Sequence, residues 1–339
     1  MSIVDYVGFS RRSALGQGIV LTSGSSVFST DVPADSLAPR SYNLKATVGT
    51  IRFRDGDNAT FKAAPSGDWA YHYRYKPLFN GSGASFGNEQ VILGVETDTG
   101  VPIQVYGQDD TLNVILNVGG TEFVSATPIT FDAWNRIIVQ KTGALYEVFL
   151  NGLPTAIVSG TVVIAGLGNV NKWTVRGNLR DHLVTDLVFM ALDGVGVSAV
   201  DKLLNCTVAY VPFTGDGAVT DQTGGFGDID EVPFNDSDFI EAGAPDELSL
   251  LTHAGLTVPE ILDVKLYARV TRSGSAAGTE FQFAARSGAG GTDVFYPAAP
   301  TGAPGDGTVI VTLGPTASGG SSWSSAVFAS EQFGVISRT

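Results

Sequence analysis

The sequence predicts an all-β chain of two domains, each a sandwich or barrel, the second the smaller. Three observations carry this. Short strand-like segments recur at close spacing, the connections between them have hairpin chemistry, and 42 Gly and 15 Pro in 339 residues interrupt long helices. At roughly 100–200 residues per domain, the length corresponds to about two domains, each able to bury a core without staples.

In the first domain the expected strands are Thr50–Arg54, Trp69–Tyr75, Gln90–Val95, Ile103–Tyr106, Leu112–Val118, Arg136–Gln140, Tyr146–Leu150, Lys172–Arg176 and Leu183–Met190. Asp109-Asp110, Gly119-Gly120, Asn151-Gly152 and Gly166–Asn169 supply the turns. Val195–Leu204 has helical spacing but also reads as a loop with one turn. Phe213–Asp228 is Gly-, Asp- and Thr-rich without apolar periodicity, which reads as a linker over 213–228. The domains are therefore expected at 1–205 and 206–339. In the second, strands are expected at Phe239–Ile240, Leu248–Leu250, Glu260–Thr271, Thr279–Arg286, Thr308–Leu313 and Ala326–Ser337, with Ile261–Val270 a central strand buried on both faces. Ser273–Gly278, Ser287–Gly291 and Ala298–Gly307 are small-residue loops.

Composition excludes several functions. With 20 Lys+Arg against 34 Asp+Glu, the formal charge of −14 repels a phosphate backbone, so no nucleic-acid partner is expected. No run of about 18 apolar residues is present, so no membrane insertion is expected. Met1–Ser10 lacks the cationic-then-apolar order of a signal peptide. Cys206 is the single cysteine and reads as a small buried hydrophobe.

Catalytic constellations are not expected. The three histidines His72, His182 and His253 lie at no metal-ligand spacing, and no nucleophile elbow, phosphate loop or dinucleotide fingerprint stands between a strand and a helix. No catalytic residue, metal site or cofactor is assigned. Along Trp69–Lys76, Trp69, Tyr71, Tyr73 and Tyr75 take one parity and His72, Arg74 and Lys76 the other. Such alternation reads as a core face backed by a cationic outer face, in preference to a sugar-stacking platform. Asp181, Asp186, Asp193 and Asp109-Asp110 lack the density of a calcium loop and read as turn acids. The acidic stretch Asp228–Glu247 reads as a solvated connector.

Phe131-Asp-Ala-Trp134-Asn-Arg-Ile-Ile-Val139 followed by Tyr146-Glu-Val-Phe-Leu-Asn151-Gly152 resembles the concanavalin A-like, laminin-G type jelly roll, in which a Trp precedes a strand paired with one ending in Asn-Gly. Thr185-Asp186-Leu-Val-Phe189 is similar to that family's closing strand, with Thr in place of its first Asp. Asn205–Pro212, Phe239-Ile240, Ile261–Arg269 and Trp323 with Phe333-Gly334-Val335 resemble a C-terminal module of tailed-phage structural proteins, as does the opening Val7-Gly8-Phe9. The resemblances imply a non-enzymatic virion protein of a tailed phage, assembled in the host cytoplasm and sited in the tail tip, baseplate or fibre, with host-glycan adhesion. The alternatives are a capsid decoration or head-fibre protein and, third, a glycan depolymerase. Implied partners are copies of itself, other virion proteins and a host surface glycan. Contact residues are expected on loops at one end of the first sandwich: Phe79, Asn80, Ser82, Phe86 and Asn88, with Asp109 and Asp110.

Overall fold

The nine segments expected as strands in the first domain all fall on strands, with Leu112 of the fifth lying outside the described residues. The computed structural model describes residues 2–7, 19–21, 27–29, 41–44, 49–54, 67–77, 90–97, 99–107, 113–168, 170–177, 182–192, 203, 206–209, 211–229, 239–271, 280–302 and 306–339. These form two units, Met1–Tyr210 and Val211–Thr339.

The first unit is a jelly-roll sandwich of two antiparallel sheets. One comprises β1 (Ser2–Val7), β3 (Val27–Ser29), β4 (Ser41–Leu44), β6 (Trp69–Pro77), β11 (Asn135–Thr142), β12 (Leu145–Leu150), β13 (Val158–Thr161) and β15 (His182–Ala191). Its order is β13-β12-β11-β6-β15-β4-β3, with β1 also beside β15. The other comprises β2 (Ile19–Leu21), β5 (Gly49–Arg54), β7 (Gln90–Thr97), β8 (Pro102–Gly107), β9 (Asn113–Val118), β10 (Thr121–Pro128) and β14 (Val170–Gly177), ordered β10-β9-β8-β7-β14-β5-β2. Trp69, Tyr71, Tyr73, Val139 and Tyr146 of the first sheet share one core with Val95, Ile103, Val105, Leu116 and Val118 of the second. The aromatics of β6 are core rings: Tyr71 meets Phe189 edge-on at 5.7 Å between centroids. Burial pushes the Tyr71, Tyr73 and Tyr75 hydroxyls above the usual phenol range.

Two readings of this unit change. The opposite face of β6 is not a solvated cationic face, because His72 and Arg74 are buried. Asp186 is not a turn acid: it lies within β15, where the register against β6 shifts between Thr185 and Val188, and has φ 52°. A carboxylate on a bulge can turn beneath the sheet instead of toward water.

The second unit is the smaller sandwich. A five-stranded antiparallel sheet runs β16 (Phe213–Thr220), β17 (Leu248–His253), β22 (Glu331–Arg338), β19 (Glu280–Ser287) and β20 (Asp293–Gly302). A ribbon of β18 (Val264–Thr271) and β21 (Asp306–Gly314) packs Val264, Leu266 and Leu313 with Phe281, Phe283 and Phe333 of the sheet.

Segment 213–228 is thus no linker. It forms edge strand β16 and a 3-10 turn at Phe226–Asp228. The more buried parity of β16 is Phe213, Gly215, Gly217 and Val219, so two glycines hide the apolar alternation. Gly217 is needed there, since a Cβ would lie 2.7 Å from the Leu250 carbonyl carbon. The boundary falls after Tyr210 instead of after residue 205. The physical cause is that Asp186 of the first unit binds Thr207 and Val208.

Val264–Thr271 belongs to the two-stranded ribbon and is not a central strand, its length and apolar content serving one face of a ribbon. Ala326–Ser337 divides into helix α1 (Ser325–Ser330), where the Ser324 hydroxyl caps the Val327 amide, and then β22. Phe239–Ile240 is not a strand, and part of the expected loop 298–307 belongs to β20 and β21. Apart from Leu203, Val195–Leu204 lies outside the described residues.

Candidate functional site

The contact residues expected from sequence, Phe79, Asn80, Ser82, Phe86, Asn88, Asp109 and Asp110, all lie outside the described residues. Their flanking strands are described. Gln90, which follows the first loop, pairs with Gly107, which precedes the second.

The outer face of the seven-stranded sheet carries a polar row that the sequence reading missed. Ile103 and Val105 of β8 and Leu116 and Val118 of β9 point into the core, so Gln104, Tyr106, Ile115 and Asn117 take the other face. Register aligns Gln104 with Asn117, and Asn117 with Glu122. Neighbouring strands are about 4.8 Å apart, so the three side chains form a continuous row. The row is held in place. The Gly120 amide donates to Asn117 Oδ1 at 2.9 Å, and Asn117 Nδ2 donates to Glu122 Oε1 at 3.2 Å. The Tyr106 hydroxyl donates to Gln104 Oε1 at 3.4 Å. Gln104 Nε2 and Glu122 Oε2 have no partner among the described residues, which places an open donor and an open acceptor on one surface. The available signal was the two-residue turn Gly119-Gly120: pairing Val118 with Thr121 sets Asn117 opposite Glu122.

A cleft lies at the end of the sandwich away from Gln90 and Gly107. Its volume is about 470 Å³, and it is lined by Lys141, Tyr146, Val162, Val163, Ile164 and Leu167 with backbone of Gly143, Ala144 and Gly168. Lys141 and Tyr146 are a directly opposed pair in the β11–β12 hairpin, only 7% and 1% exposed. Lys141 occupies the core parity of β11, after Ile137 and Val139, which explains its burial. Its ammonium donates to Gly67 O at 3.3 Å and Asp68 Oδ1 at 3.4 Å, and that oxygen also accepts from the Gly143 amide at 2.6 Å. The opposite wall is the segment after β13. The Val162 amide donates to Ala144 O at 2.9 Å, and the Thr99 hydroxyl donates to Leu167 O at 2.8 Å.

The acids weighed as calcium ligands separate. Asp181, Asp193, Asp109 and Asp110 lie outside the described residues. Asp186 is fully buried and forms an ion pair with Arg74 at 3.2 Å. It accepts from the Thr207 hydroxyl at 3.0 Å and the Val208 amide at 2.8 Å. Arg74 also donates to Cys206 O at 3.3 Å. This arrangement fastens the segment 206–208 to the sheet and presents no open position to a ligand.

Neither a family model nor a curated protein matches the sequence. Solved structures similar to it include domain 4 of AbnA, a GH43 extracellular arabinanase from Geobacillus stearothermophilus, in complex with arabinotriose. The identity is 14% over 60% of this chain and 97% of that one, with a TM-score of 0.43. Others are the botulinum neurotoxin serotype G binding domain (12%, 60% and 49%, TM-score 0.38) and a protein of unknown function with galectin-like fold from Bacillus subtilis (11%, 56% and 96%, TM-score 0.35). This chain spans about half of the neurotoxin domain. Likeness at this level concerns β architecture alone.

Proposed function

We propose that the protein is a non-enzymatic structural and adhesion protein whose first sandwich holds a glycan on the outer face of its seven-stranded sheet. The observation that carries this is the preset row Gln104, Asn117 and Glu122. Sugar hydroxyls need donors and acceptors side by side on a rigid base, and Gln104 Nε2 and Glu122 Oε2 supply one of each. Paired-carboxylate hydrolysis needs two acids about 5–9 Å apart, and Glu122 is the row's one carboxylate among the described residues. Placement on a tailed-phage virion, in tail or head, rests on the sequence motifs.

The test is a glycan array probed with the full chain and with the double variant Gln104→Ala/Glu122→Ala. The wild type is expected to bind, and loss of two polar contacts of about 1 kcal/mol each weakens binding roughly tenfold to thirtyfold. Array silence sinks the adhesion reading, and release of reducing ends from a bound polysaccharide sinks the non-enzymatic one. Mass spectrometry of purified particles tests the virion setting, which fails if the chain is absent from them.

A further inference from the structure

We infer that the cleft between the β11–β12 turn and the segment 162–168 is a second binding site, for a single neutral sugar unit, separate from the sheet face. Its position argues for a site in its own right. Gln104, Asn117 and Glu122 stand on the outer parity of β8, β9 and β10, whereas Lys141 and Tyr146 stand on the core parity of β11 and β12 in the other sheet, so the two sites share no residue.

The chemistry of the cleft selects the ligand class. Tyr146 is almost wholly buried, yet its hydroxyl has no hydrogen-bond partner among the described residues, and it lines the cleft. That hydroxyl opens on the cleft, where it can donate to or accept from a polar group that enters. Beside it, Lys141 commits its ammonium to Gly67 O and Asp68 Oδ1, which leaves one of three protons for a ligand. Two paired residues therefore each bring a donor to the cleft, and Tyr146 can accept as well.

Charge decides between sugar classes. Asp68 neutralises Lys141, and the chain carries a net charge of −14, so an acidic sugar gains nothing from this ammonium. A neutral polyol loses nothing. The facing wall of Val162, Val163, Ile164 and Leu167 suits the C–H face of a pyranose, and Val163 is 83% exposed. The volume of about 470 Å³ accommodates one ring with its substituents.

Saturation-transfer NMR on the full chain tests this with the methyl glycosides of glucose, galactose, mannose and N-acetylglucosamine, and with glucuronate. At least one neutral glycoside is expected to bind in the millimolar range, about 4 kcal/mol at 1 mM. Tyr146→Phe, which removes one oxygen, and Lys141→Met are each expected to weaken it about three- to tenfold. Gln104→Ala/Glu122→Ala is expected to leave it unchanged, so failure of the sheet-face reading and failure of this one are told apart. The inference is overturned if no neutral glycoside binds at about 0.1 M, well above the expected range. It is equally overturned if glucuronate binds more tightly than every neutral glycoside, or if Tyr146→Phe, folded by its melting curve, binds like wild type.

Discussion

Replacing Asp186 by Ala removes a carboxylate that is 0% exposed and leaves Arg74, 3% exposed, as a buried cation without its 3.2 Å partner. The same change deletes the acceptor of the Thr207 hydroxyl and the Val208 amide. Breaking a buried ion pair from one side costs about 3–5 kcal/mol, chiefly because the remaining charge stays out of water. At about 2–4 °C per kcal/mol for a domain of this size, the first unit's thermal transition drops by roughly 6–20 °C. Differential scanning calorimetry of the full chain reads this directly, with the second unit's transition as internal reference. Asp186→Asn separates charge from backbone, because Asn tolerates the positive φ of 52° that Ala does not. It is expected to fall nearly as far as Asp186→Ala if charge is the cause. The double variant Arg74→Met/Asp186→Leu should recover part of the loss. A shift below about 3 °C in Asp186→Ala, roughly 1 kcal/mol, would refute the reasoning and place the pair among dispensable contacts.

Two further outcomes follow from the same geometry. Burial and the nearby Asp186 carboxylate push the Cys206 thiol up to about 12, against the pull of Arg74 and Arg136. At pH 8 the folded chain should therefore react with a disulfide reagent about a thousandfold more slowly than the unfolded chain. Because the folded value is raised, stability is undiminished below the ordinary thiol value of about 9 and declines as pH rises from there toward 12. Equal rates in folded and unfolded chain would contradict the assignment. In the second unit, Gly217→Ala puts a Cβ 2.7 Å from the Leu250 backbone, so that unit should lose about 1–3 kcal/mol while the first keeps its transition. An unchanged second transition would show that β16 adjusts freely.

Hairpins were legible because their rules are local. The alternation in Trp69–Tyr75 assigned the core face, and the two-residue turn Gly119-Gly120 sets Asn117 opposite Glu122; the turn Gly143-Ala144, which the sequence reading did not single out, sets Lys141 opposite Tyr146 by the same rule. The same local logic failed at β16, where Gly215 and Gly217 leave no apolar signal although the strand is specified by close approach to Leu250.

Long-range closure decided the rest. Whether the outer face of β6 meets water depends on where residues 206–208 come to lie, more than 130 positions from Arg74, and nothing in the alternation of β6 reports that. The cleft likewise needs Asp68, Lys141 and Leu167 brought together by separate strands and loops. Period and turn chemistry act over a few residues, so they specify strands and their nearest partners. Burial of a charge and the shape of a cleft arise only when segments distant in the chain close over one another.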